Sequence, residues 1–158
     1  MGARGLSLRP AGPADEEWLY RLHRATLHDV VVAAFGGWDE SDQRARFAQR
    51  SPTVERYVVL SGDEPVGTLH LDRSGAGEVF LALVEVAPER QGQGLGSALV
   101  RGVVARAAEE GRGVRLQVLH ANPRARALYR RLGFTETGRD EVRCSMRTGQ
   151  SSARTTSA

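Results

Sequence analysis

Three glycines spaced two apart, Gly92, Gly94 and Gly96, stand where an apolar run ends and a helical pattern begins. The stretch reads Val84-Glu85-Val86-Ala87-Pro88-Glu89-Arg90-Gln91-Gly92-Gln93-Gly94-Leu95-Gly96. Glycine carries the backbone through positive φ and lets a ligand approach main-chain amides closely. The first amides of a helix are unpaired and partly positive. Together these features make a site for phosphate groups. A Walker loop needs Gly-Lys-Ser/Thr, and the chain has no lysine. A dinucleotide fingerprint needs Gly-x-Gly-x-x-Gly with an acid about 20 residues on. Here the spacing is Gly-x-Gly-x-Gly, and the later strand, Arg115-Leu116-Gln117-Val118, carries no acid. A tight turn with no ligand is the plain alternative.

A second constellation is Asn122, Ala125, Leu128, Tyr129, Gly133 and Phe134. Asn122 and Tyr129, seven apart, fall on one helix stripe about 10.5 Å apart along the axis. One can touch the middle of a long ligand while the other reaches its end; the alternative is a cap asparagine and a core tyrosine. Glu85 interrupts an apolar strand. A carboxylate there is costly unless paired or wet, and burial would raise its pKa toward that of a general base. A salt bridge to one of the arginines is the competing reading. Glu78 opens the same strand and would face the other way in a regular strand, but a one-residue bulge would bring both acids to one side. His70, on a neighbouring strand, is a third candidate base, set against a surface or core histidine. Cys144 is the single cysteine. It allows no internal disulfide and reads as a small packed residue before it reads as a catalytic thiol.

The elements that must position these groups follow from pattern. Leu6–Pro10 reads as an opening strand. Pro13 and the acids Asp15, Glu16 and Glu17 suit a helix start, with Trp18, Leu19, Leu22 and Ala25 as its apolar stripe. Phe35-Gly36-Gly37-Trp38 breaks the pattern, and Asp39 caps a second helix to about Arg50 with Phe47 inward. Two strands follow, over residues 57–60 and 66–71, turning at Gly62-Asp63. Val79 to Val86 is nearly all apolar, as in a central strand covered on both faces. A helix from Leu95 to about Glu110 presents Leu95, Leu99, Val103 and Ala107. Val114 to His120 is a strand. Asn122-Pro123 opens a helix that Gly133 stops, and a hairpin closes the chain. The order is β-α-α-β-β-β-α-β-α-β-β, which predicts a mixed sheet of the α/β (α+β) class.

Gln91-x-x-Gly94-x-Gly96 after Val86-x-Pro88, with the later Asn122…Tyr129…Gly133-Phe134, resembles the acetyl-CoA motif of the GCN5-related N-acetyltransferases (GNAT). The element order matches from about Leu6 to Arg147. The resemblance implies a GNAT-like mixed, mostly antiparallel sheet flanked by about four helices, with a V-shaped splay between the two central strands. It implies that amides of Gln91, Gly92, Gln93, Gly94, Leu95 and Gly96, with Ser97 next, hold the pyrophosphate of coenzyme A. The pantetheine arm would pair with backbone around Val84 and Val86, with Asn122 beside it. A backbone N–H near Val84–Val86 would stabilise the developing oxyanion. Tyr129 would protonate the departing thiolate. Glu85, Glu78 or His70, or a water chain as in several family members, would take the proton of the amine. Phe35, Trp38 and Glu40 fall where the family builds its acceptor pocket: aromatics to wall it, an acid to attract a cationic amine. The alternative is that Phe35 and Trp38 only anchor their loop.

The implied function is direct transfer of acetyl from acetyl-CoA to a primary amine of a small molecule or a peptide N-terminus. A non-catalytic acyl-CoA sensor or partner module is the runner-up. The formal charge of +3 comes from scattered arginines, and there is neither a clustered basic helix nor a zinc spacing, so a nucleic-acid partner is not expected. No apolar run approaches the roughly 20 residues of a membrane span. The expectations are therefore no membrane, no metal, a cytoplasmic address, and a monomer or homodimer. Residues 1–147 read as one domain and 148–158 as a disordered tail.

Overall fold

A computed structural model describes residues 5–149. Its elements run β1 (Leu6–Pro10), α1 (Glu16–Phe35), α2 (Glu40–Ala48), β2 (Val54–Ser61), β3 (Glu64–Asp72), β4 (Glu78–Val86), α3 (Leu95–Glu109), β5 (Gly113–Leu119), α4 (Pro123–Arg131), β6 (Thr135–Arg139) and β7 (Arg143–Arg147). This is the order expected from the pattern. The sheet has seven strands in the order β1-β2-β3-β4-β5-β7-β6. Every pairing is antiparallel except β4 with β5. Four helices flank it, as the resemblance implied.

The parallel ladder is short. It joins Glu78, Val79 and Phe80 to Gly113, Val114 and Arg115, and then stops. From Leu81 onward, β4 and β5 diverge without pairing, and this is the expected V. Arg112 fastens its closed end, donating through Nη2 to the carbonyls of Arg73 and Glu78 at 3.0 Å.

β4 also carries a bulge, the condition under which Glu78 and Glu85 share a side. His70 pairs with Leu83 but Leu71 with Leu81, so Ala82 is the extra residue. Before it, Val79 and Leu81 face the main core; after it, Val84 and Val86 pack on the same core. A strand without the bulge would swap faces at this point. The core joins that face to α3, β5, Phe134, Cys144 and Met146. Cys144 is fully buried, and burial pushes its thiol pKa up, as for a packing residue.

The opposite face is covered by α1 and α2. The inward stripe of α1 differs from the sequence reading: Leu19 and Leu22 are buried, but Ala25 is exposed, and Thr26 takes the inward position. Steps of three and four from Leu19 through Leu22 and His23 reach Thr26. Asp39 caps α2 by accepting from the Asp42 amide at 2.7 Å, and α2 stops at Ala48. Of the stretch read as a tail, Thr148 is buried; its amide donates to the Val114 carbonyl and its Oγ1 accepts from the Val114 amide, both at 2.9 Å. Residues from 150 onward lie outside the described ones. Among the described residues no helix is long and apolar enough to cross a membrane, and no group of three or more His, Cys, Asp or Glu could hold a metal ion.

Candidate active site

The loop after β4 enters a short 3-10 turn, Pro88–Arg90, and then the glycines. Gly92 has φ 77° and Gly94, the N-cap of α3, has φ 78°, both in the left-handed region that favours glycine. The first main-chain bond of α3 runs from the Ala98 amide to the Gly94 carbonyl at 3.0 Å. The amides of Gly92, Gln93, Gly94, Leu95, Gly96 and Ser97 have no acceptor among the described residues. Gly96 has neither positive φ nor a close neighbour; a Cβ there would meet only Val86 Cγ2 at 3.9 Å. Its missing side chain leaves the mouth of the helix open. Gln91 stands just outside this run. Its amide donates to Pro88 O at 3.3 Å, and its side-chain Nε2 donates to Val86 O at 3.0 Å. Gln91 therefore ties the loop to the end of β4. The Gln93 side chain accepts from Arg90 Nε at 3.3 Å.

The backbone of β4 is oriented by its ladder with β3. The Ala87 amide donates to Val66 O at 2.8 Å. Alternation along an antiparallel pair then turns the main-chain groups of Glu85 toward β3 and those of Val84 and Val86 toward the V. Gly67 makes this close approach possible: a Cβ there would collide with the Glu85 carbonyl oxygen.

Glu85 lies on the α1 side of β4 and is 4% exposed. Its partner is no arginine. Thr26 Oγ1 donates to Oε2 at 2.6 Å, and His23 Nδ1 lies 3.0 Å from the same oxygen. Glu85 Oε1 is buried with no partner among the described residues. The bulge puts Glu78 on this face too, but it does not bring the two acids together. Glu78 sits at the closed end of the V, seven residues or roughly 20 Å along the strand from Glu85, with Arg147 Nη1 3.8 Å away. His70, 8% exposed, is held neutral: burial, then the Arg56 charge, lowers its pKa to about 4.

Across the V, Asn122 caps α4, accepting from the Ala125 amide at 3.2 Å. That occupies Oδ1 and leaves its Nδ2 hydrogens to donate. Tyr129 packs on the main core and against Phe134, ring centroids 5.6 Å apart. Burial pushes its pKa up to about 12, so the hydroxyl keeps its proton at neutral pH.

Glu40 ties the α1–α2 link together. Glu40 accepts from Tyr20 Oη at 2.7 Å, Trp38 Nε1 at 2.9 Å and Arg24 Nε at 3.1 Å, which fills its carboxylate as a structural hub. Trp38 stacks beside His28, centroids 5.3 Å apart. Phe35, at the end of α1, is 56% exposed. Trp38 and Glu40 make contacts that anchor the loop, and Phe35 is left at the surface. A cavity on this face lies further along, under α2. It measures about 270 Å³ and is bounded by His23, Phe47, Arg50, Arg56, His70 and Leu83, among others.

His23, Thr26 and Arg56 were not singled out in the sequence. A signal existed for the first two: polar residues on the inward stripe of α1 face the one acid that interrupts β4. A polar break in each of two packed apolar surfaces implies that they meet.

A family model described as the acetyltransferase (GNAT) family matches residues 17–134. The chain belongs to that family. Among curated GNAT relatives, the chain is 35% identical over 144 residues to a mycothiol acetyltransferase of Kineococcus radiotolerans, an alignment covering 87% of this chain and 45% of that protein. It is 33% identical over 144 residues to the mycothiol acetyltransferase of Mycolicibacterium paratuberculosis, covering 79% and 44%. The chain thus spans less than half the length of these relatives. An acetyltransferase of Thermus thermophilus shares the fold with TM-score 0.72 at 24% identity, covering 93% of this chain and 98% of that one. So does the PaiA N-acetyltransferase of Thermoplasma acidophilum in complex with coenzyme A, with TM-score 0.73 at 18% identity, covering 90% and 98%. At these identities the structural likeness is one of fold.

Proposed function

We propose that this GNAT domain transfers acetyl from acetyl-CoA directly to a primary amine. One observation carries the reading. Unpaired amides of residues 92–97 flank the end of β4, where its backbone turns into the V and a buried carboxylate occupies the opposite face. The curated relatives are named acetyltransferases, and one solved structure with this fold holds coenzyme A.

The residues fit coenzyme A by their donor set. The amides from Gly92 to Ser97 would hold the pyrophosphate. The backbone at Val84 would accompany the pantetheine arm, and Asn122 Nδ2 would donate from the other wall. When bound, acetyl-CoA supplies an activated acetyl group and a thiolate leaving group. The protein does the rest. Thr26 and His23 fix Glu85 through Oε2, leaving Oε1 to take the proton of the amine, directly or through a water. A main-chain N–H of the Val84–Val86 segment stabilises negative charge as it develops on the carbonyl oxygen. Tyr129 keeps its proton at neutral pH and gives it to the leaving sulfur.

The test follows thiol release from acetyl-CoA with a panel of amines. Release that depends on an amine, with an acetylated product by mass, is expected. Tight coenzyme A binding without release for any acceptor would overturn the enzyme reading and leave an acyl-CoA-binding module.

A further inference from the structure

The cavity under α2 has a chemical character of its own. Ala82 and Leu83, at the β4 bulge, form part of its wall, and His23 links it to Glu85. Three arginines line it, Arg46, Arg50 and Arg56, and no acidic side chain does. The nearby acids lie outside the wall. Glu16 is shared by Arg50 and Arg56, and Asp42 pairs with Arg46 at 2.8 Å. Arg50 and Arg56 thus share one carboxylate, while the third nearby acid, Glu85, faces His23. Two polar atoms of lining residues are buried with no partner among the described residues: Arg56 Nη2 and His70 Nε2. The Arg56 side chain is 11% exposed and His70 is 8% exposed. Buried polar groups left unsatisfied are expensive, by about 1–3 kcal/mol each, and a guanidinium is shaped to receive an oxyanion. A volume of about 270 Å³ is at the small end of ligand pockets.

We propose that this cavity receives an anionic group on the amine acceptor, held by Arg56 and by His70 in its Nε2–H tautomer. The acceptor is then an acidic amine, carrying a carboxylate or a phosphate, with its nitrogen directed to the His23–Glu85 end. This rests on the acetyl-transfer reading and adds the substrate class. It also accounts for Glu40, whose carboxylate is filled by protein donors and is not left to attract a cationic amine.

The experiment compares four acceptors with acetyl-CoA: an α-amino acid, its carboxamide, an aminoalkyl phosphate and a diamine. At least one anionic acceptor should exceed both the carboxamide and the diamine tenfold or more in kcat/KM. The stronger of the two anions distinguishes carboxylate from phosphate. Arg56→Gln should shrink that ratio at least tenfold through KM, with Arg56→Lys recovering part of it. Calorimetry with coenzyme A checks that each variant is folded. Equal or better use of the carboxamide or diamine overturns the proposal, as does a ratio that survives Arg56→Gln in folded protein. A second readout needs no turnover. Adding the amino acid or the aminoalkyl phosphate to the coenzyme A complex should shift the His70 imidazole resonances. If neither moves them, the anion site is refuted even where acetyl transfer stands; a shift without thiol release retains the site and refutes the transfer.

Discussion

At the residue scale, the two candidate proton carriers are prepared in opposite ways. Glu85 is fixed by partners on α1, Thr26 at 2.6 Å and His23 at 3.0 Å. Tyr129 has only apolar packing and a neighbouring ring, and burial raises its pKa to about 12. A hydroxyl so far above neutral pH is a poor base and a persistent donor. Tyr129→Phe removes the proton and keeps the ring, so coenzyme A affinity should hold within a few fold. kcat should fall by about 100-fold, in the lower range for a lost acid–base group. Steady-state thiol release alongside calorimetry checks this, and an unchanged kcat would make Tyr129 a packing residue. The sequence singled out Tyr129 through its spacing from Asn122, the cap of the same short helix, and its proposed role through the family resemblance. It disclosed Glu85 as an anomaly in an apolar strand, but not its partners. His23 lies 62 positions from Glu85, and only the packing of α1 on the sheet sets that pairing. The competing reading was a salt bridge to an arginine because arginines are many, and abundance carries no information about position.

At the element scale, the site depends on backbone that only glycine allows. Gly94 stands at φ 78° as the N-cap of α3, with open space where a Cβ would go. Gly94→Val therefore meets strain and not a clash, about 1–3 kcal/mol for a non-glycine residue held in such a region. The loop should relax away from this conformation, and coenzyme A affinity should drop at least tenfold while the melting temperature changes little. Calorimetry and thermal melting separate the two effects. Gly67 is the converse case: its φ is ordinary, but an added methyl would meet the Glu85 carbonyl on the neighbouring strand. Gly67→Ala should push β4 outward and cost about 1–3 kcal/mol of stability, as overpacking does. It should also displace Glu85 and lower kcat, and a variant as stable and active as the parent would refute that account. The glycine turn was legible because its requirements are local to a few residues. The odd spacing of Glu78 and Glu85 showed only that a bulge would be needed to bring them to one face; its place at Ala82 is set by the pairing with β3. Gly67 gave no sign, because its constraint comes from a strand eighteen residues away. The stripe of α1 was misphased at Ala25 because small and polar residues on an inward face look alike until the opposite surface is known.

At the scale of the whole molecule, the sheet divides the candidate chemistry: the α3 side carries the unpaired amides proposed to hold phosphate, and the α1 side carries the acid, the histidines and the arginine-lined cavity. The same division sets how stability responds to pH. His70 is buried on the α1 side and its pKa is lowered to about 4 from 6.5, first by burial and then by the Arg56 charge. Between those values the unfolded chain binds a proton that the folded protein refuses, so stability rises with pH across the window. It is full above about 6.5, falls toward 4 and levels below that. The steepest slope is about 1.4 kcal/mol per pH unit, and the whole window is worth on the order of 3 kcal/mol. The paired carboxylates act lower down. Asp15, bound by Arg9, is lowered to about 2 from 3.8, and Glu16 and Asp72 are lowered by their own partners. Their contributions are present above their unfolded values and are lost as pH falls through the folded ones. The upper part of the window, from 6.5 down to about 5.5, therefore belongs to the histidine, and the paired glutamates join below it. Urea unfolding at pH steps from 7 to 4.5 should show stability falling in the parent and a flatter line in His70→Gln, which carries no titratable group there. Parallel lines for the two proteins would mean that another group takes up the proton, and that His70 is not held neutral by its place beneath α2.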